Sequence, residues 1–108
     1  MEKFYDKLVR DNIPEIIKSN DGEPYFRKLN DKEYWEYLLK KDSEELEEVR
    51  TAASLEERKK ELADKLELIR AMSEFCGFTL QDIVDEADRK KEKRGGFQKR
   101  ILLEKVIE

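Results

Sequence analysis

With 108 residues, the chain has room for one domain and little for a second independent core. Charged residues make up 46% and hydrophobic ones 38%, at a net charge of -4, so disorder is the first alternative to weigh and general nucleic-acid binding by phosphate neutralisation is opposed. One cysteine and no histidine exclude an internal disulfide, a Cys/His zinc site and a histidine-dependent triad.

Order is the better reading, because Leu, Ile, Val and aromatic residues recur at helical spacing and capping signals agree with them. A domain this polar is expected to complete its core by pairing with copies of itself. The opening MEKFYDKLVRDN has no apolar leader region and no later run approaches a membrane span, so a cytoplasmic protein without membrane contact is expected. Charge is uneven. Acids crowd Asp42 to Glu48, while Arg89, Lys90, Lys91, Lys93, Arg94, Lys99 and Arg100 make the C-terminal part basic. Those two regions suit an anion held through metal at one end and through cations at the other. DNA binding by the basic segment is the weaker alternative, since two glycines interrupt it and the overall charge is negative.

Asn12-Ile13-Pro14-Glu15 reads as a helix start, with Asn as cap and Pro in the first turn, and that short helix should stop by Gly22. Turn material follows to Pro24, and Tyr25 to Leu29 is either a short strand or an extended arm. Asn30-Asp31-Lys32-Glu33 opens a second helix, through Trp35, Leu38, Leu39, Leu46 and Val49, to about Ala53. Ser54-Leu55-Glu56-Glu57 is a full capping-box pattern that marks a tight corner and starts a helix to Phe75 or Cys76, closed by Gly77. Thr79 caps the last helix, whose apolar positions Leu80, Ile83, Val84 and Ala87 repeat at i, i+3, i+4 and i+7. Arg94-Gly95-Gly96 ends it, and Ile101 to Ile107 is an apolar tail, strand or arm. Cys76 reads as a small buried residue at a helix end.

Successive helical side chains turn by about 100°. On the second helix Trp35, Leu38, Leu39, Leu46, Val49 and Ala53 then share a stripe, with Glu45 beside Leu38, Glu48 at the margin and Glu44 turned toward water. Asp42 falls inside the stripe with no assigned role. The third helix carries two apolar stripes, Leu62-Leu66-Ile69 and Leu68-Ala71-Met72-Phe75, and is therefore expected to be sandwiched. Glu61 and Asp64 continue the second stripe. The pairs Glu45/Glu48 and Glu61/Asp64 thus face one another across the corner. Bare, they would raise each other's pKa; a hard divalent ion such as Mg2+ or Mn2+ removes that penalty. The plainer reading is a solvated acidic face with i, i+4 ion pairs, and spacing alone leaves both open.

The acidic pattern Glu44-Glu45-Leu46-Glu47-Glu48 followed by Glu61-Leu62-Ala63-Asp64, the opening KLVRDNIPEII and the ending KRGGFQKRILL resemble the MazG-like all-alpha nucleotide pyrophosphohydrolases, relatives of phosphoribosyl-ATP pyrophosphohydrolase. The three stretches span nearly the whole chain. The resemblance implies one all-α domain over residues 1–108, a helical bundle completed by homo-oligomerisation into a dimer or tetramer, with short extended arms. It implies Mg2+ on Glu45, Glu48, Glu61 and Asp64, and hydrolysis of a nucleoside triphosphate, normal or modified, to monophosphate and pyrophosphate. Glu44 and Glu45 are the catalytic carboxylates on this reading, Glu44 as a water-orienting base. Lys41, Lys90, Lys93 and Arg94 are candidates for phosphate contact, and Lys7, Arg10 and Asp11 are candidates to complete the site from the same or a neighbouring subunit. Asn12 stands where such proteins usually have Lys, which leaves helix capping as its simpler role. Trp35, Tyr34, Tyr37, Phe75 and Phe97 offer base stacking, although Trp35 and Phe75 at helical spacing also suit a core. A non-catalytic nucleotide-binding or protein-interaction module of the same fold is the alternative.

Overall fold

The computed structural model describes residues 1–108 and contains four helices and no strand. Helix α1 spans Ile13–Ser19, α2 Asp31–Thr51, α3 Leu55–Phe75 and α4 Leu80–Arg94. Tyr25 to Leu29 and Ile101 to Ile107 are therefore non-helical arms rather than strands. The longest dimension of the chain is 61 Å, and no helix is long and apolar enough to cross a membrane.

Helix starts follow the capping chemistry of the sequence. Asn30 Oδ1 accepts from the Glu33 amide at 2.9 Å, Ser54 Oγ from the Glu57 amide at 3.1 Å and Thr79 Oγ1 from the Asp82 amide at 3.1 Å. Each satisfies an amide that the first helical turn leaves without a partner, an interaction typically worth about 1 kcal/mol. Asp82 completes a reciprocal box by accepting from the Thr79 amide. Glu57 instead reaches one residue further back, to the Ala53 amide, which tightens the corner between α2 and α3. Asn12 differs from the expectation: its backbone is already helical and its side chain caps nothing.

Gly77 ends α3 at φ 85°, where the Phe78 amide donates to the Ser73 carbonyl and the Gly77 amide to that of Glu74. That pair of bonds is the Schellman closure, and it needs a residue without a Cβ penalty in the left-handed region.

Helices α2 and α3 form an antiparallel hairpin. The start of α2 meets the end of α3 where Trp35 stacks on Phe75, with ring centroids 5.6 Å apart, and Tyr34 meets the same ring edge-on. Midway, the Lys65 ammonium donates to Asp42 Oδ1 at 2.7 Å. Leu38 is the one fully enclosed apolar side chain of the hairpin. The inward face of α2 is turned from the one its leucines suggest. Leu39 and Leu46 are exposed, while Leu38 and Glu45 are buried and Tyr34 and Lys41 half-buried. The physical reason is that α2 has apolar residues on more than one side, and contact with the stripe of α3 that ends at Phe75 selects only one of them.

The sandwiching expected for α3 is not met within one chain: Leu62, Leu66 and Ile69 are exposed. Cys76 is exposed too, not buried, because the closing turn at Gly77 carries the chain outward.

Candidate metal centre

Reflection about the corner at Ala53 sets residues 44 to 48 of α2 against the first turns of α3, and there the hairpin gathers acids. One carboxylate oxygen from each of Glu45, Glu61 and Asp64 lies within 4.8 Å of the others. Glu45 is 8% exposed, Glu61 and Asp64 half-buried. The expected fourth member, Glu48, is exposed and stands outside this trio. Glu45 sits at the centre of the inward face, and Glu48, about 60° round the helix from it, falls at the margin of that face, on the side that meets solvent.

Burial is the main cause that pushes the Glu45 carboxyl up to about 7, followed by proton sharing with Glu61 and the negative charge of Asp64. Lys41 opposes the shift from 3.9 Å. The Oε2 atom of Glu45 has no hydrogen-bond partner although it is buried. Ionised, both neighbouring carboxylates only accept, so neither can satisfy this oxygen, whereas a proton or a cation would. A hard cation fits that requirement, since the donor set is all oxygen and no nitrogen or sulfur ligand stands beside it.

Cations of the chain ring the acids. Lys7 Nζ donates to Glu44 Oε1 at 3.0 Å and Arg10 Nη2 to Asp64 Oδ1 at 2.7 Å, so the opening KLVRD segment lies over the hairpin. Tyr37 adds a hydroxyl contact to Asp6 at 3.4 Å. Lys41 Nζ stands 3.7 Å from Glu44 Oε1. The Lys7 ammonium, with help from Lys41, holds the Glu44 carboxyl below its ordinary range despite partial burial. Of the expected site residues, Glu44, Glu45, Glu61, Asp64, Lys41, Lys7 and Arg10 are thus brought together between the middle of the hairpin and its corner.

Lys90, Lys93 and Arg94 are not brought there. With Glu86 and Arg89 they line a shallow concavity of about 180 Å³ along α4, to which no residue of the acidic trio contributes. Phe97 is exposed in the arm, and Trp35 and Phe75 are engaged with each other in packing. The Asp42–Lys65 pair had a sequence signal that helical-face reasoning overlooks: reflection about Ala53 places position 42 opposite positions 64 and 65.

No known protein-family profile matches the chain, and no solved structure does. It is 48% identical over 46 residues to an uncharacterized protein of Mycolicibacterium smegmatis (strain ATCC 700084 / mc(2)155). That stretch covers 43% of this chain and 47% of the relative, so the likeness spans about half the length of the curated relative it matches.

Proposed function

We propose that the chain is a Mg2+-dependent nucleotide pyrophosphohydrolase, cleaving a nucleoside triphosphate to monophosphate and pyrophosphate and working in the cytoplasm. The observation that carries this reading is the convergence of Glu45, Glu61 and Asp64 within 4.8 Å, with one Glu45 oxygen buried and unpaired. Glu45, Glu61 and Asp64 would hold the ion, with Mn2+ as the alternative hard ion; Glu48 would join them only from the edge of the hairpin. When bound, Mg2+ supplies charge neutralisation at phosphate oxygens and a lowered pKa for coordinated water.

The remaining roles belong to the chain itself. Glu44, kept ionised by Lys7, is a steady acceptor that orients a water, while its low pKa makes it a weak proton acceptor. Lys41, Lys7 and Arg10 border the acids and are the cations nearest to where phosphate oxygens would lie. Negative charge accumulates on those oxygens during phosphoryl transfer, and positioned ammonium and guanidinium groups stabilise it. Lys90, Lys93 and Arg94 line a separate surface along α4, and a phosphate role for them requires that surface to meet the acids of another copy.

Purified protein incubated with a panel of normal and modified nucleoside triphosphates and Mg2+ should release pyrophosphate from at least one. Absence of product from all of them at high enzyme concentration would overturn the reading. One observation favours a second reading, a non-catalytic nucleotide-binding module: Lys7, Arg10 and Lys41 already neutralise much of the acidic charge. That reading predicts nucleotide binding whose affinity is indifferent to Mg2+, measurable by calorimetry.

A further inference from the structure

The opening of the chain is held on the hairpin through side chains. Residues 1–9 make no backbone hydrogen bond, and the Arg10 carbonyl accepts only from the Ile13 amide of its own turn. Helix α1, which follows, packs on no other helix. The attachments are Lys7 Nζ on Glu44 Oε1 at 3.0 Å, Arg10 Nη2 on Asp64 Oδ1 at 2.7 Å and the Tyr37 hydroxyl on Asp6 at 3.4 Å, with Leu8 half-buried. The Lys7 and Arg10 side chains are 49% and 58% exposed. Ion pairs solvated to that extent are individually weak, so the segment can lift without disturbing Trp35, Phe75 or Leu38.

Charge decides what these pairs do. Ionised, Glu44, Glu45, Glu61 and Asp64 carry four negative charges, and Lys7, Arg10 and Lys41 offset three of them. The one unit left over attracts a divalent ion weakly, because affinity for such ions follows the charge of the ligand set. Lys41 belongs to α2 and stays beside the acids. Lys7 and Arg10 ride on the unpacked segment, and their departure restores two units of negative charge around the buried, unpaired Oε2 of Glu45. Of the two, Arg10 matters more, since it holds an oxygen of Asp64, a member of the trio, whereas Lys7 holds Glu44, which is outside it. A divalent ion and a guanidinium on one carboxylate repel each other.

We propose that Arg10, seconded by Lys7, is an exchanging cation: it occupies Asp64 in the metal-free protein and moves to the substrate's phosphates once a divalent ion takes the acids. Resting on the reading of Glu45, Glu61 and Asp64 as a metal centre, the exchange makes metal and Arg10 competitors for Asp64 and makes metal and triphosphate cooperate. A guanidinium binds phosphate as it binds carboxylate, through paired N–H donors, so the move keeps its charge and donors satisfied. An arginine that merely oriented Asp64 as a ligand would act in the opposite direction, because removing such a partner weakens metal binding.

Mn2+ titrated into the metal-free full chain, followed by the electron paramagnetic resonance of the free ion, tests the exchange, with circular dichroism to confirm folding. R10Q should bind Mn2+ about fivefold or more tightly than the wild type. R10K should stay nearer the wild type because its charge remains, and K7Q should shift the affinity less than R10Q. R27Q removes an ion pair with Glu33, in the first turn of α2, and should change nothing. With Mn2+ saturating, R10Q should bind inorganic tripolyphosphate about fivefold or more weakly than the wild type in calorimetry. An R10Q protein that binds Mn2+ no more tightly than the wild type, or that keeps full tripolyphosphate affinity, would overturn the exchange and leave the metal centre in place. Absence of Mn2+ binding in both proteins, or wild-type Mn2+ affinity in D64N, would instead overturn the metal centre and the exchange with it.

Discussion

Replacing Glu45 by Gln should make the metal-free protein more stable while removing its response to metal. In the folded state the Glu45 carboxyl is raised from 4.5 to about 7, chiefly by burial. A raised carboxyl pKa means that the folded state holds the proton more tightly than the unfolded state. Relative to its protonated form, the group is neutral to stability below the unfolded pKa. Its penalty grows as pH rises, and is complete once pH passes the folded pKa. A difference of roughly 2.5 pKa units corresponds to about 3 kcal/mol at pH 8 and to under about 1 kcal/mol at pH 5. Gln has nearly the same shape and never ionises, so E45Q should exceed the wild type in stability by about 3 kcal/mol at pH 8, with the gap closing toward pH 5. Urea unfolding of both proteins at fixed protein concentration, with chelator, measures this. On the proposed metal reading, Mg2+ should stabilise the wild type at pH 8 and leave E45Q unmoved, because the buried carboxylate oxygen that would hold the ion has become part of a neutral amide. An E45Q protein no more stable than the wild type at pH 8, or a difference that does not change with pH, would refute the assignment of Glu45 as a strained, buried acid awaiting a cation.

Other substitutions probe the remaining features. E61Q and D64N should each lower pyrophosphate release by more than about a hundredfold with unchanged helicity, as loss of a catalytic metal ligand typically does; turnover near the wild-type level would exclude those carboxylates from the site. Leu38→Ala should destabilise by about 2–5 kcal/mol in chemical denaturation, since Leu38 is the one fully enclosed apolar side chain. Gly77→Ala should cost about 1 kcal/mol or more, because φ of 85° disfavours any Cβ, although no atom lies within 4 Å of the added carbon; a neutral effect would mean that the turn relaxes. Asp42→Asn should change stability by less than about 1 kcal/mol, since its ion pair with Lys65 is partly solvated, and a larger loss would assign that pair a structural role beyond charge.

Sequence alone located the helices. Asn30, Ser54, Thr79 and Gly77 act through hydrogen bonds and backbone angles within a few residues, so their effects do not depend on what packs nearby. The short corner at Ala53 likewise made Glu45, Glu61 and Asp64 neighbours once the two helices were antiparallel. Tertiary structure decided which side of each helix turned inward. With leucines around much of α2 and two apolar stripes on α3, several rotations bury similar area, and packing of Trp35 and Tyr34 on Phe75 selected the one that encloses Glu45 and frees Glu48 and Leu46. It also placed Lys7 and Arg10 over the acids, a contact between segments 37 and 54 residues apart that no periodicity encodes.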